Sequence, residues 1–144
     1  MNRLLRALPF LTLGALGCGN AGLASSTCDR SEQANTPIRY SEGSAENGIY
    51  MSSAWDGELL YFPGGMRYLI EHQLGEIPRY WQFYLSFDQE GVKTGVIGLA
   101  AGNQAELRGI DEQTLTVVNG SCVDYWLLVV AGVGESPMPG GSTP

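Results

Sequence analysis

The sequence predicts an all-β protein, a single antiparallel β-sandwich of about eight strands formed by residues 28–131. Turn-forming residues recur at short and regular spacing along this region. Twenty of the 144 residues are glycine. No segment repeats its apolar residues every 3.6 positions over the length of a helix. Roughly 100 folded residues are enough to bury one hydrophobic core.

The predicted strands are the apolar or alternating segments between these turns. Asp56-Gly57 and Asn119-Gly120 are each predicted to close a hairpin, because a two-residue type I′ turn needs positive φ at both positions. Residues 29–48 are predicted to be an irregular lead-in, and residues 132–144, rich in Pro, Gly and Ser, a disordered tail. The eight predicted strands are 49–55, 58–62, 66–72, 79–87, 92–100, 105–110, 114–118 and 122–131.

The strand over residues 79–87 alternates in a way that predicts which side chains are buried. One set of its side chains is expected in the core: Trp81, Phe83, Leu85 and Phe87. The other set faces away: Tyr80, Gln82, Tyr84 and Ser86. The strand over residues 122–131 is apolar on both faces after Asp124, which predicts a central strand covered on both sides.

Charge excludes one class of partner. From Cys18 onward the chain has six Lys or Arg against fifteen Asp or Glu, a net charge of −9. A surface of that sign repels phosphate backbones and anionic lipid headgroups. Nucleic-acid binding is therefore not expected, and attachment to a membrane requires something other than charge.

Residues 1–17 have the parts of an export signal: a positive start, MNRLLR, followed by the apolar stretch ALPFLTLGALG. That stretch is too short to span a bilayer. The next residues, Ala15 to Cys18 (ALGC), resemble the lipobox of bacterial lipoproteins, although Leu16 stands one place later than the leucine usual in that family. The resemblance implies cleavage before Cys18 and diacylglyceryl attachment, including palmitate, at that thiol.

Residues 18–27 would then be the lipid anchor and tether of a cell-envelope protein. Gly19, following the lipidated cysteine, favours the outer membrane by the sorting rule of enteric bacteria. The alternative is an ordinary secretory signal cut after Ala24, which would give a secreted or periplasmic protein.

Two cysteines remain once Cys18 is lipidated or removed. Cys28 and Cys122 form an even pair in an oxidising compartment, which predicts a disulfide bond. The bond would close a loop of more than ninety residues, worth about 4 to 5 kcal/mol by chain entropy. The alternative is two separate free thiols.

The candidate ligand-binding residues surround two tyrosines, Tyr80 and Tyr84. Aromatic rings on an exposed sheet face can stack on sugar rings or anchor a protein partner. Hydrogen-bonding groups nearby in sequence complete the candidate site: Gln82, Arg67 and Arg79. The alternative is that a second sheet or residues 29–48 cover these tyrosines.

His72, the single histidine, lies in the pattern H-x-L-G-x-x-P, which resembles strand connectors of phage tail-fibre and lectin-like β-sandwich modules. It is expected to be structural, with a role at a binding edge or in catalysis as alternatives. The acidic residues near turns form no recognised Ca²⁺ loop and are read as solvated surface: Asp88, Glu90, Asp111, Glu112 and Asp124. No catalytic residue, metal or cofactor is predicted.

The sequence therefore predicts a non-catalytic binding or structural module of the bacterial envelope that recognises a glycan or a protein. One alternative is an envelope hydrolase acting on a sugar polymer, which would need a pair of carboxylates at a defined separation. Another is an assembly subunit whose edge strands pair with a neighbour.

Overall fold

The computed structural model describes residues 29–134, which form ten strands and almost no helix, so the all-β sandwich prediction is confirmed. Predictions for the signal segment, Cys18, Cys28 and residues 135–144 lie outside the described residues. The strands are β1 Ile38–Tyr40, β2 Ser44–Glu46, β3 Ile49–Met51, β4 Leu60–Phe62, β5 Arg67–Glu71, β6 Tyr80–Ser86, β7 Gly98–Leu99, β8 Glu106–Ile110, β9 Thr114–Val118 and β10 Tyr125–Gly132. One helical turn, α1 (Gly91–Thr94), and a 3₁₀ turn, Gly102–Gln104, complete the elements.

The strands form two sheets. The smaller sheet has the order β1-β5-β9-β8, and the larger has β2-β3-β10-β6-β7, with β4 also paired to β10. All pairs are antiparallel except β1 with β5, which is parallel. Residues 29–48 were predicted to be irregular, and that prediction is wrong for β1 and β2. Both are three-residue strands that have too few residues to show a period of two.

The core lies between the two sheets and is filled by alternate residues of each. As predicted, β10 is central: it pairs with β3, β4 and β6, and Leu128 on its outer face is as fully buried as its inward neighbours. The inward side chains of the smaller sheet are Tyr68, Ile70, Leu115 and Val117, and those of the larger sheet include Tyr50, Phe62, Phe83, Leu85, Tyr125, Leu127 and Val129.

Two of the four core residues predicted from the 79–87 alternation are wrong. Phe83 and Leu85 are buried, but Trp81 is 42% exposed and Phe87 is 71% exposed. The alternation itself is correct, since Trp81 pairs with the inward-facing Ala131. The sandwich is simply shorter than the predicted strand, so the inward direction at both ends meets the open rim between the sheets rather than the core.

The hairpin predicted at Asn119-Gly120 is wrong, because β9 and β10 belong to different sheets. Asn119 is fully buried at the crossing. Its amide nitrogen donates to the carbonyl oxygens of Phe62 and Val123 at 2.9 and 2.8 Å, and its side-chain oxygen accepts from the backbone nitrogen and hydroxyl of Ser121. These bonds make Asn119 a joint between sheets instead of a turn residue.

The two-residue turn forms at a different Asn-Gly pair. Asn47 and Gly48 have φ values of 51° and 75°, and they connect β2 to β3 with Glu46 opposite Ile49. Positive φ at both central positions is what a tight hairpin of this kind needs. An Asn-Gly pair therefore does close a two-residue hairpin, but that pair is Asn47-Gly48 and not Asn119-Gly120.

The hairpin predicted at Asp56-Gly57 is also wrong. β3 and β4 do not pair with each other but follow one another along the same edge of β10, at opposite halves of that eight-residue strand. Ser52 fills the gap between them: its backbone nitrogen donates to the Val129 carbonyl, and its hydroxyl accepts from the Val129 nitrogen, both at 2.9 Å. Residues 53–59 leave the sheet as a loop.

The strand predicted over residues 92–100 is replaced by α1 and the two-residue strand β7. Gly91 permits this because it lies against the side chains of Ser86 and Leu59, where a Cβ would come within 2.9 Å of the Ser86 Cβ. Gly95, with a φ of 72°, ends the helical turn in the left-handed conformation. At the other end, Gly132 belongs to β10 and not to the predicted tail.

Candidate binding face

The outer face of the larger sheet carries a set of aromatic side chains. In β10, Trp126 stands opposite Tyr61 of β4 and Ser86 of β6, and Leu128 stands opposite Tyr84. Residues that face each other across neighbouring strands share one side of the sheet. We refer to the rings on this side as the aromatic face: Trp55, Tyr61, Tyr80, Tyr84 and Trp126.

Two ring pairs organise the aromatic face. Tyr61 and Trp126 have centroids 5.2 Å apart at an interplanar angle of 54°, and Trp55 and Tyr84 are 5.1 Å apart at 87°. Separations and tilts of this kind are favourable for aromatic pairs. Trp55 reaches Tyr84 from the loop between β3 and β4, so the loop that replaces the predicted hairpin also supplies a ring to the face.

Tyr80 lies over a glycine of the neighbouring strand. It stands opposite Gly132, and a Cβ at that position would overlap the phenol ring, colliding with its Oη and Cζ atoms. Absence of a side chain at Gly132 therefore lets the Tyr80 ring lie against the sheet, with about two-fifths of the residue exposed.

Polar groups border the rings. Tyr84 donates its hydroxyl hydrogen to Gln82 Oε1 at 2.9 Å, which fixes the orientation of that amide. Tyr61 donates to Asp124 Oδ2 at 3.2 Å, and the bond with Asp124 raises the pKa of the Tyr61 phenol. The aromatic face thus combines apolar ring surfaces with hydrogen-bonding groups at their edges.

The structure brings together only part of the predicted site. Tyr80, Gln82 and Tyr84 share the aromatic face, and Arg79 precedes Tyr80 at the end of β6, where its backbone nitrogen donates to the Gly132 carbonyl. Arg67 does not join them. It lies in β5 of the other sheet, is buried, and binds Glu32 and the Arg30 carbonyl.

Arg67 instead binds the segment 29–35, the arm, to the smaller sheet. Its Nη1 atom is 3.3 Å from Glu32 Oε1, and its Nη2 atom donates to the Arg30 carbonyl at 3.2 Å. The ring packed on Tyr84 is Trp55, and the turn at Asn47 and Gly48, within residues 29–48, lies beside Tyr80. The sequence does not identify three rings of the aromatic face: Trp55, Tyr61 and Trp126. These rings come together because β4 and β6 both pair with β10 and the loop before β4 carries Trp55.

His72 is fully buried and is used structurally. Its Nδ1 atom accepts from the Leu74 nitrogen at 3.3 Å, and its Nε2 atom lies 3.0 Å from the Asp111 carbonyl oxygen. A neutral ring protonated on Nε2 satisfies both contacts. His72 therefore joins the turn after β5, where Gln73 and Gly75 have positive φ, to the turn between β8 and β9.

Three of the acidic residues accept hydrogen bonds from backbone nitrogens. Asp111 accepts from the backbone nitrogens of Gln113 and Thr114, and these bonds hold the pKa of its carboxyl below the ordinary value. Asp88 accepts from the Glu90 nitrogen, and Asp124 from the Gly64 nitrogen. Within residues 29–134, no group of three or more His, Cys, Asp or Glu side chains is arranged to hold a metal ion.

Cys122 lies between β9 and β10, and Cys28 lies outside the described residues, so the disulfide bond between them stays a prediction. Between Asp29 and Gly134, no helix has the length and apolar character needed to cross a bilayer.

Comparison of this chain with protein-family models, with curated protein sequences and with solved structures found no match in any of the three.

Proposed function

We propose that this chain is a bacterial envelope lipoprotein, anchored through lipid on Cys18, whose β-sandwich is a non-catalytic module that binds a glycan on the aromatic face. The observation that carries the binding proposal is the row of rings on the outer side of β4, β10 and β6. These rings remain partly exposed although core positions elsewhere in the domain are filled by similar side chains.

A glycan fits the chemistry of this face. A sugar ring presents C–H groups on its faces and hydroxyl groups around its edge, and aromatic side chains with polar tips offer the complementary surfaces. The tyrosine hydroxyls and the Gln82 amide lie beside the rings, where they can bond to sugar hydroxyls. Because Asp124 and Glu58 are close by in the same region, we expect neutral or amino sugars to bind in preference to uronic acids.

A disulfide bond between Cys28 and Cys122 fits the envelope assignment. Disulfide bonds persist mainly outside reducing compartments. The described chain also begins beside Cys122: Arg30 donates to the Gly120 carbonyl at 2.7 Å, and Gly64 lies against the Cys122 backbone. Cys28 precedes Arg30 by two residues in the sequence, which supports the proposed pairing of Cys28 with Cys122.

Binding is tested by co-sedimentation of the purified protein with insoluble polysaccharides of different chemistry: peptidoglycan sacculi, chitin and cellulose. We expect retention on at least one of them, reduced about tenfold or more in Trp55→Ala and in the double variant Tyr80→Ser with Tyr84→Ser, as for residues at the centre of a binding site. Trp81→Ala is the matched control, because this exposed tryptophan belongs to the same strand as Tyr84 but points to the other side. Equal losses in Trp81→Ala, or no retention on any polysaccharide, would reject the aromatic face as a glycan site.

The anchor is tested separately by the intact mass of the mature protein from membranes, with and without reduction. We expect a chain that starts at Cys18 and carries lipid, and a gain of about two hydrogens when the disulfide is reduced. A soluble chain starting near Ser25 would replace the lipoprotein proposal with a secreted one and leave the binding proposal standing.

One observation bears on the alternative of a hydrolase. Glu42 and Glu58 line the same cavity, of about 460 Å³, together with Ser52 and Ser53. Glu58 accepts from the Gln89 amide at 3.0 Å. We expect no release of reducing ends from the three polysaccharides; release that disappears in Glu42→Gln and Glu58→Gln would establish the hydrolase instead.

The edges of both sheets disfavour the assembly-subunit alternative. The edge strands β1, β2 and β7 have three, three and two residues, and β8 is interrupted by a bulge between Leu107 and Gly109. Short or bulged edge strands are a common protection against pairing with another chain.

A further inference from the structure

One end of the sandwich carries the start of the described chain. The strand pairings place Ser86 next to Trp126 and Arg67 next to Val118. Cys122 and the arm at Arg30 belong to this same end, since Arg30 donates to the Gly120 carbonyl. We call this the tether end; the opposite end carries the turns at His72, Gln113 and Gly134.

An apolar patch is exposed at the tether end. Phe87, Leu99 and Val96 are 71%, 61% and 48% exposed, and they line one open cavity of about 370 Å³. Leu85 and Tyr125 also line it, with the Tyr125 ring 5.4 Å from that of Phe87. A contiguous apolar patch on a domain this acidic marks an interaction surface. We call Phe87, Val96 and Leu99 the end patch.

The arm and the end patch are close together in the structure. The Gly120 carbonyl that accepts from Arg30 also accepts from Asn103 Nδ2 at 3.0 Å. The next residue, Gln104, lines the patch cavity and lies 3.2 Å from the Tyr125 hydroxyl. The start of the described chain and the end patch are therefore linked through Gly120 and the turn at Asn103 and Gln104.

We propose that the end patch docks on the lipid bilayer that holds the Cys18 anchor, an inference that rests on the lipid anchor of the proposed function. The eleven residues 18–28 that precede Asp29 extend to about 40 Å at most, so the bilayer surface that holds the anchor is within reach of this end. A tether of that length keeps the local concentration of lipid high, and a small apolar surface then suffices for contact.

Docking of this kind is apolar and not electrostatic. The domain is acidic, and Asp88 and Glu90 lie near Phe87 in sequence, so anionic headgroups do not attract this end. Contact should therefore occur on zwitterionic lipid and persist at high salt. The aromatic face runs along β10 from Trp126 at the tether end to Tyr80, opposite Gly132, at the other end, so Tyr80 stays clear of the membrane when the end patch is docked.

The experiment uses the full lipidated chain in vesicles of phosphatidylcholine or of its brominated analogue, which quenches tryptophan within the bilayer. Phe87→Trp places a probe in the end patch, at a residue 71% exposed, and Ile77→Trp places one at the opposite end, on a residue 54% exposed. The wild-type protein gives the contribution of its three native tryptophans.

We expect brominated lipid to remove emission added by Phe87→Trp and not emission added by Ile77→Trp, with no change in 0.5 M salt. No extra quenching in Phe87→Trp, while the mass shows lipid on Cys18, overturns the docking and leaves the anchor intact. Equal quenching at both ends overturns the orientation. A dimer in detergent that Phe87→Ser with Leu99→Ser dissociates would assign the end patch to a second copy of this chain, and a chain without lipid would remove the premise.

Discussion

The two sheets each present one outer face away from the core, and the two outer faces carry different kinds of side chain. On the smaller sheet the outer residues form ion pairs: Arg39 with Glu71, and Glu106 with Arg108. On the larger sheet the corresponding surface is aromatic. Exposed ion pairs need no partner, whereas exposed rings leave apolar area in contact with water. This difference is the reason why the larger sheet is the proposed binding side.

The largest effect is expected at the joint between the sheets. Asn119→Ala removes four hydrogen bonds and leaves the Phe62 carbonyl without its amide donor in the core. We expect the free energy of unfolding to fall by about 3 kcal/mol, the cost of unsatisfied buried polar groups. Urea denaturation measures it.

Asn103→Ala is the control for that substitution. Asn103 is exposed and makes one bond, to the Gly120 carbonyl, so we expect a loss of about 1 kcal/mol or less. Equal losses in the two variants would contradict the role of Asn119 as the joint that separates the two faces.

A smaller change in the free energy of unfolding is expected when the glycine in a strand of each sheet is replaced by alanine. Gly132→Ala introduces a Cβ into the space of the Tyr80 ring and should cost about 1 to 3 kcal/mol, as for overpacking. It should also weaken polysaccharide retention, since Tyr80 must move. Thermal denaturation and co-sedimentation measure the two consequences.

Gly109→Ala is the matched change on the smaller sheet. A Cβ there meets only the Thr116 hydroxyl, at 3.9 Å, so the substitution should be neutral or stabilise by up to about 1 kcal/mol through reduced chain entropy. If Gly109→Ala lowered the free energy of unfolding as much as Gly132→Ala, the two outer faces would be equally tightly packed and would not differ in this respect.

The pH dependence of stability should involve the turn between β8 and β9. Hydrogen bonds from Gln113 and Thr114 hold the pKa of Asp111 below its unfolded value. A lowered folded pKa contributes stability above the unfolded value, near pH 4, and that contribution is lost as the pH falls through the folded pKa. Asp111→Asn should therefore destabilise the protein at pH 7 more than at pH 3, measured by thermal melting. Glu112→Gln, next to it, should show no such difference; a parallel response would assign the effect to general charge.

The smallest effect is expected from the ion pair of the smaller sheet. Glu71→Gln removes the partner of Arg39, whose side chain is 68% exposed. We expect a change of about 0.5 kcal/mol or less that declines further with salt. A change as large as that of Gly132→Ala would mean that the smaller sheet also carries a specific surface function. Polysaccharide retention should be the same as in the wild type.

Local patterns predicted several elements because their information lies in neighbouring residues. The alternation in β6 placed Phe83 and Leu85 in the core and Tyr80 and Tyr84 on the other side, and the doubly apolar β10 was recognised as central. These follow from the period of two in any strand. The same local reasoning does not distinguish the two Asn-Gly pairs. Asn47 closes a hairpin, whereas the amide of Asn119 reaches the carbonyl of Phe62 in a strand of the other sheet.

The candidate site shows the same division. The sequence by itself determined the all-β class, the inward and outward sides of the main strands, and a tyrosine pair on one exposed side, because each depends on side-chain period and polarity. Only the tertiary structure decided that Trp55, Tyr61 and Trp126 join that pair and that Arg67 does not. Whether two side chains lie close together depends on whether their strands belong to the same sheet. Which strands pair with β10 is decided by the packing of the whole core and not by any local segment.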